Sequence, residues 1–565
     1  MSSQLLDLQD RLAKAESRLD MAPPPLGQAL LTPAEASYRN GPPSAASSAG
    51  FQQATRPETA ADPSPSLLLP DGYDLTYSAF ADAMAGFPNL QTDSDWATIE
   101  VPMFDSPDHM AGLSTSSQHP ERSLPQHRAD ESLPQQELEG LHRNYFDIIY
   151  RAWPFLCQER FVAESAAHPQ SPSVRCLSYA VALLGTTVSP SLAHLQRACY
   201  NGARKYIDIA ERGDLPEDLA SINVLQALLC VIRYEVAHDR LVTAWLNLGR
   251  AIRMAKMFGL HYMDRSTSSA PRKSPSLYVR LNENAGELEL EERRRSFWCL
   301  FILESYVSTR TGDPCELGDA QTFEIRIPCP GLLVSPFNYI RMPMLQDIVF
   351  GALDPSICIS SFAGCVMMVE LALKCFAHER SSYATGQSSG FWDRHYALIK
   401  SFNERATAVK EHLNAKVVQE DPVAFSLHMN LCAIEIYFHE TAIAEIHRQQ
   451  FPQHISLESM QRSSSAALKV TSAIRLNWPA RRSEFDIFTQ QAIFIAWPLV
   501  MAIKALGRDL ASARPSATSN GVAHSMRLLQ VALGLAEQPA GYWHTQIASE
   551  ATILKDWDEM SGFEP

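Results

Sequence analysis

From Leu138 onward, apolar residues recur every three to four positions, the spacing of one face of an α-helix. Leu141, Tyr145, Phe146, Ile149 and Trp153 open the series, followed by Pro154-Phe-Leu-Cys157. The pattern then predicts helices near 172–187, 191–211, 217–236 and 239–258, a central helix from Glu291, and further helices near 344–378, 391–414, 421–449, 456–477, 484–511 and 522–537. Leu225, Leu228, Leu229, Ile232 and Val236 make one apolar face. Leu241, Trp245, Leu248, Ile252 and Ala255 make another, closed by Gly259, with Trp245 expected as a core anchor. Phe323–Ile327 alone alternates with the period of a strand, and Pro328–Pro343 reads as irregular. The expected fold is all-α, an irregular multi-helix body without a fixed repeat.

One stretch organises the rest. Phe297 to Leu303 is apolar without a break, so a helix there has little solvent face and must be buried on most sides. Gly312 supplies a left-handed cap and Pro314 cannot continue the helix. Ahead of the apolar run stand Arg293, Arg294 and Arg295, flanked by Glu287, Glu289, Glu291 and Glu292. Helix neighbours three and four apart meet, so Glu291 is expected to pair with Arg294 or Arg295, a structural cluster rather than a nucleic-acid patch. Arg250 and Arg253 are expected to meet acids across a helix pair.

The first 135 residues read differently. Leu5, Leu8, Leu12, Ala15 and Leu19 alternate three and four apart, a heptad seam of about two heptads that ends before Pro23-Pro-Pro25. Two readings are open: a frayed amphipathic helix, or a short dimerisation coil. Residues 22–135 are rich in Pro, Ser, Ala and Gly, the composition of a disordered linker. Within them, residues 57–121 hold no Lys or Arg, and Asp71–Phe87 and Asp93–Trp96 interleave acids with aromatics. This is either a plain acidic linker or a segment of the activation type, in which acids keep aromatics solvated and available to a partner groove. The expected organisation is a coil at 1–21, an acidic arm at 22–135, a regulatory body at 136–340, its helical continuation at 341–545, and a tail at 546–565.

Three ordered blocks carry a resemblance. Leu225-Gln-Ala-Leu-Leu-Cys-Val-Ile-Arg-Tyr-Glu235 comes first, then Ala244-Trp-Leu-Asn-Leu-Gly-Arg-Ala-Ile-Arg-Met-Ala-Lys-Met-Phe-Gly-Leu-His261. The third is Glu292-Arg-Arg-Arg-Ser-Phe-Trp298 with Gly312-Asp-Pro314 and Ile325-Arg-Ile-Pro-Cys329. In this order and spacing they resemble the middle homology region of fungal transcription regulators, over roughly residues 138 to 340. The resemblance implies a nuclear regulator of RNA polymerase II genes whose helical domain restrains or relays activity. In that family the region follows a DNA-binding cluster of six cysteines and two zinc ions. None of those ligands lies ahead of the seam at Leu5, so DNA binding is carried over onto no residue here, and zinc is expected only through a cluster outside these residues. Trp245, Gly259, Arg293, Arg294, Arg295, Phe297, Trp298, Gly312 and Pro314 are the scaffold positions of the match.

Charge and cysteine use narrow the partners. The net charge of −15 makes the chain as a whole a poor polyanion binder. Eleven cysteines are scattered from Cys157 to Cys432 with no C-x-x-C pair, which reads as free thiols in a reducing compartment. Ala492–Ile503 and Ile357–Leu373 are the longest apolar runs, and both read as core helices rather than membrane spans.

No catalytic constellation emerges. Gly386-Gln-Ser-Ser-Gly390 has the spacing of a nucleophile elbow, but a helical segment precedes it where a strand is required. His439-Glu440 begins like a zinc-protease helix, yet the second ligand position holds Ile443. Glu435, His439 and His447 read as polar positions on an apolar helix.

These observations favour a transcription regulator of a specialised or secondary-metabolite gene set, without enzymatic activity. It would pair with itself or a related chain through the coil, recruit transcription machinery through the acidic arm, and reach promoter DNA only through a module or partner outside these residues. The alternative is a co-regulator that titrates or bridges a full-length partner. Residues 57–121 fused to a neutral DNA-binding domain are expected to raise a reporter above the bare domain; equal signals would leave the arm a linker.

Overall fold

Local chemistry sets where the helices begin and end. The computed structural model describes residues 133–213, 221–265, 279, 281, 285–350, 357–385, 390–478, 487–514, 516–537 and 541–561. The seam positions Leu5, Leu8, Leu12, Ala15 and Leu19 and the acidic segment lie outside them. Helix α1, Gln135–Asn144, continues through a π-helical turn, Tyr145–Ile149, to Ala152. Then come α2 (Gln158–Ala167), α3 (Pro172–Gly185), α4 (Ala193–Arg212), α5 (Ile222–Ala237), α6 (Leu241–Met257) and α7 (Glu287–Thr311). The second half holds α8 (Leu345–Phe350), α9 (Ser361–Thr385), α10 (Phe391–Ala408), α11 (Ala415–Glu420) and α12 (Pro422–Arg448). It closes with α13 (Leu457–Leu476), α14 (Ile487–Ser512), α15 (Ala517–Ala536), α16 (Tyr542–Thr545) and α17 (Ala548–Ser561). The Phe323–Ile327 segment forms no strand; Arg326 makes one isolated antiparallel bridge to Met344.

Side-chain oxygens satisfy the orphan N–H groups at several helix starts. Ser221 accepts from Asn223 N at the start of α5, and Asp421 accepts from Val423 N at α12, where Pro422 sits in the first turn. Asp421 also accepts from Ser361 Oγ at 2.7 Å, tying the starts of α9 and α12 together. Gly259 after α6 and Gly312 after α7 adopt φ of +67° and +79°, the left-handed stop their positions in the sequence predict.

The helices bury two apolar cores. The first gathers α1, α3 to α7 and α9; the second gathers α13 to α15 and α17. Helix α12 lies between them. Leu427, Leu431, Ile434 and Phe438 face the first core, while Phe425, Met429, Cys432 and Ile436 face the second. That double burial explains why α12 is apolar nearly all round. Tyr306 and Trp497 pack against both cores.

Two helical segments, Ser361–Ser381 and Ile487–Ser512, are long and apolar enough to cross a membrane by length and composition. Burial inside the protein reaches 56% and 72% of their most apolar windows, so both serve the core.

Three expectations need correction. Trp245 is not a core anchor: it is 47% exposed, with Val242 and Leu246 exposed beside it. The buried stripe of α6 runs instead through Ala244, Leu248, Ala251, Ile252 and Ala255. Small residues there let α5 approach closely, leaving no room for an indole. The helix expected over 344–378 is two helices, α8 and α9. The expected tail at 546–565 includes α17, whose Leu554 and Trp557 are buried in the second core.

Close helix crossings depend on individual glycines. A Cβ on Gly185 would stand 2.1 Å from the backbone oxygen of Leu141, where α3 crosses α1. A Cβ on Gly140, within α1, would meet nothing within 4 Å. Gly185→Ala is therefore expected to cost about 1–3 kcal/mol through overpacking. Gly140→Ala is expected to gain up to ~1 kcal/mol from helix propensity. Chemical denaturation of both variants checks the opposite signs.

Candidate functional site

Burying a helix that carries five consecutive charges, Glu291 to Arg295, forces each charge to find a partner, because an unpaired buried ion costs several kcal/mol. Helix α7 meets this demand with groups from five other segments. Arg294 forms a bidentate pair with Asp264 from the turn after α6, Nε to Oδ2 at 2.8 Å and Nη2 to Oδ1 at 2.7 Å. Glu291 accepts from Arg295 Nε at 3.1 Å, from Arg294 Nη1 at 3.4 Å and from Cys329 N at 2.8 Å. Arg295 donates onward to the backbone oxygens of Pro154, Cys329 and Gly331. Glu292 accepts from Arg160 at 2.6 Å, from Cys157 N at 2.9 Å and from Gln226 at 3.0 Å. Arg293, at the margin, pairs with Glu289 at 2.6 Å.

The apolar part of α7 completes the latch. Trp298 Nε1 donates to Arg326 O at 2.7 Å, and Arg326 N donates to Asp264 at 2.9 Å. The extended Ile325–Cys329 segment is thus held by Trp298, Glu291, Arg295 and Asp264 together. Burial lowers the Arg294 pKa, but the hydrogen bond and charge of Asp264 outweigh it and the net shift is upward. Burial pushes the Glu291 carboxyl up against the pull of Arg295 and Cys329 N–H. The cluster is a scaffold: apart from Arg293 Nε, its donors and acceptors are spent on one another and on nearby backbone.

Farther along α7 the packing opens into an apolar cavity of ≈80 Å³. Ile302 and Tyr306 of α7, Phe362 and Met368 of α9, Leu427 of α12 and Phe494 of α14 are among its walls, together with Trp153. Two backbone irregularities lie beside Trp153 and Phe494. The π turn of α1 buries Tyr145, Phe146 and Ile149 just before Trp153. Pro498 lies inside α14, where it has no N–H to give the carbonyl four residues back. That carbonyl belongs to Phe494, and Asn430 Nδ2 donates to it at 3.1 Å in place of the missing amide. Gln491 in turn donates to Ala152 O at 3.1 Å.

The scaffold positions read from sequence converge in part. Arg293, Arg294, Arg295, Phe297 and Trp298 form one buried unit on α7, and Gly312 and Pro314 end it. Gly259 turns the chain so that Asp264 reaches Arg294, whereas Trp245 stands apart on the surface. Arg250 meets Asp208 at 3.0 Å and Glu211 at 2.6 Å on α4, as the pattern suggests; Arg253 makes no ion pair among the described residues. Asp264 went unnoticed because nothing in the sequence signals a partner thirty positions away. Arg233 and Asn430 likewise sit among apolar residues as isolated polar letters, and only that isolation could have marked them.

The weak chemical candidates stay weak. Residues 386–389 of Gly386-Gln-Ser-Ser-Gly390 lie outside the described residues, and the segment before them is α9 rather than a strand. His439 is buried on α12 against Phe438, and burial brings its pKa down to about 3. Glu440 pairs with Arg508, and Glu435 with Lys469. A zinc cluster needs several thiolates drawn together. The eleven cysteines are free and mostly buried, burial pushes thiols such as Cys230 up to about 12, and no three metal-capable side chains meet among the described residues. These residues do not fit a zinc cluster.

Comparison with known proteins agrees with the three-block resemblance. The Fungal specific transcription factor domain matches residues 143–387. A depudecin biosynthesis cluster-specific transcription activator of Fusarium langsethiae is 37% identical over 99% of this chain and 90% of its own length. The activator of the same description from Alternaria brassicicola is 41% identical over 78% of this chain and 68% of its own length. A pigment biosynthesis transcriptional activator of Monascus ruber is 24% identical over 61% of each. No solved structure matches.

Arg294→Glu would bury a third carboxylate beside Asp264 and Glu291. It is expected to destabilise the body by roughly 3–5 kcal/mol. Lys400→Ala, which removes an exposed pair with Glu404, is expected to cost ~1 kcal/mol or less. Urea unfolding of the two variants provides the comparison, and an Arg294→Glu protein as stable as the wild type would remove the scaffold role.

Proposed function

Since the chain belongs to the fungal regulators built around the Fungal specific transcription factor domain, we propose that it activates transcription of a secondary-metabolite biosynthesis gene cluster. The observation that carries this reading is similarity along most of the chain to two cluster-specific activators, each also matched over two thirds or more of its length. The body from residue 133 to 561 is the regulatory domain, and the protein is a regulator rather than an enzyme. It acts in the nucleus on RNA polymerase II genes. Its acidic aromatic segment recruits the transcription machinery, and its leucine seam pairs it with a second regulator chain.

The seam at Leu5, Leu8, Leu12, Ala15 and Leu19 also supports a second reading. There the chain is a co-regulator, and a DNA-binding partner held through the coil makes the promoter contact. In both readings any zinc cluster lies outside these residues.

Deleting the gene in its native host is expected to lower the transcripts of the neighbouring biosynthetic genes at least tenfold, with recovery on reintroduction. Unchanged transcripts would overturn the activator reading. Chromatin immunoprecipitation with and without the Leu12→Pro variant tests whether pairing through the seam is needed at the promoter. Loss of promoter occupancy in the variant is expected if pairing delivers the chain to DNA.

A further inference from the structure

Arg233 on α5 is buried at 6% exposure, yet no carboxylate pairs with it among the described residues. Its Nη2 donates to the backbone oxygen of Gln490 at 2.6 Å, and its Nη1 has no partner. The guanidinium lies 5.2 Å from the Trp153 ring centre and 5.5 Å from that of Phe494. Those rings stack on each other at 5.3 Å and both line the apolar cavity. Burial brings the Arg233 pKa down to about 10, which still leaves it charged at neutral pH. Its other close polar neighbours, Tyr145, Cys230 and Cys299, are neutral there, because burial raises all three.

Two more donors at this corner lack acceptors. Trp153 Nε1 and Tyr145 Oη are buried without a hydrogen bond. Three buried donors around one positive charge that no carboxylate offsets, only two ring faces and a carbonyl, call for an acceptor that carries negative charge. Arg233 is not itself in the cavity wall; it touches the two rings that are. The Trp153 indole has no hydrogen bond to give up if it turns, so the wall between cavity and guanidinium is held by packing alone.

We propose that the cavity binds a small apolar monocarboxylic acid, its hydrocarbon chain among Ile302, Phe362, Met368 and Leu427 and its carboxylate at the Trp153 end, drawn to Arg233. An apolar cavity of about 150 Å³ takes benzene, so ≈80 Å³ suits about three carbons, with the carboxylate beyond them toward Arg233. A charged head group at one end of an apolar site fixes orientation and rejects the neutral analogue. The site is independent of which genes the protein controls.

The test compares butanoate with butan-1-ol, of equal chain length but uncharged, by calorimetric titration of the full-length chain at pH 7.5. Butanoate is expected to bind at least tenfold more tightly than butan-1-ol. In Arg233→Met the preference is expected to fall to within twofold. That variant should fold, because it replaces an unpaired buried charge by an apolar side chain, and its Tm is expected to equal or exceed that of the wild type. Trp153→Phe keeps an aromatic ring, removes its donor, and is expected to lower butanoate affinity severalfold while leaving butan-1-ol unchanged. Equal affinities for acid and alcohol in the wild type, no binding of either, or an acid preference that survives Arg233→Met would each overturn the proposal.

Discussion

A helix buried on every side cannot leave its charges to water, and the architecture around α7 follows from that constraint. Glu291, Glu292, Arg294 and Arg295 enter the core because the apolar run behind them must be covered. Each then needs a fixed partner at hydrogen-bond distance. The partners come from the end of α1, the start of α2, α5, the turn after α6 and the extended segment at 325–331. Meeting the demand of one helix turn therefore fixes five other stretches of chain. Two of the three blocks that carry the family pattern enter this network, one through Gln226 and one through α7 with Ile325–Cys329. Its worth lies in specifying one arrangement, since an apolar replacement of the whole cluster could be as stable.

The second half of the body answers a different constraint. Helix α12 serves two cores at once, so it can spare no polar face. Where those cores meet, helix α14 carries Pro498, and the carbonyl it leaves orphaned on Phe494 is taken by Asn430. The apolar cavity and the Arg233 corner occupy this seam.

Much of the scaffold was legible because it is local. The unbroken Phe297–Leu303 run, the Gly312 stop and the Glu291 pairs with Arg294 and Arg295 all follow from spacing within a few residues. The Arg250 contacts with α4 were readable from an arginine on the polar side of an amphipathic helix. Trp245 was misplaced because periodicity names a stripe but not its centre, and Ala244 rather than the indole lies at the close approach to α5. Helix α17 was missed because only Leu554 and Trp557 anchor it, too few to raise a periodic signal. The division between α8 and α9 was hidden by apolar residues on both sides of it. Asp264 and Arg233 act through partners far along the chain, and single-sequence spacing carries no information about those.

The distance between such partners bears on how the protein is made. Arg233 reaches its acceptor at Gln490 across 257 residues, and Gln491 reaches back 339 residues to Ala152. Synthesis proceeds at about 5–20 residues per second. A nascent chain that has already exposed α5 must therefore wait roughly 13–50 s for the segment that covers its guanidinium. During that interval the first core has one wall missing and leaves Trp153 and its neighbours uncovered. The yield of folded regulator would be set during translation as much as by the stability of the finished body.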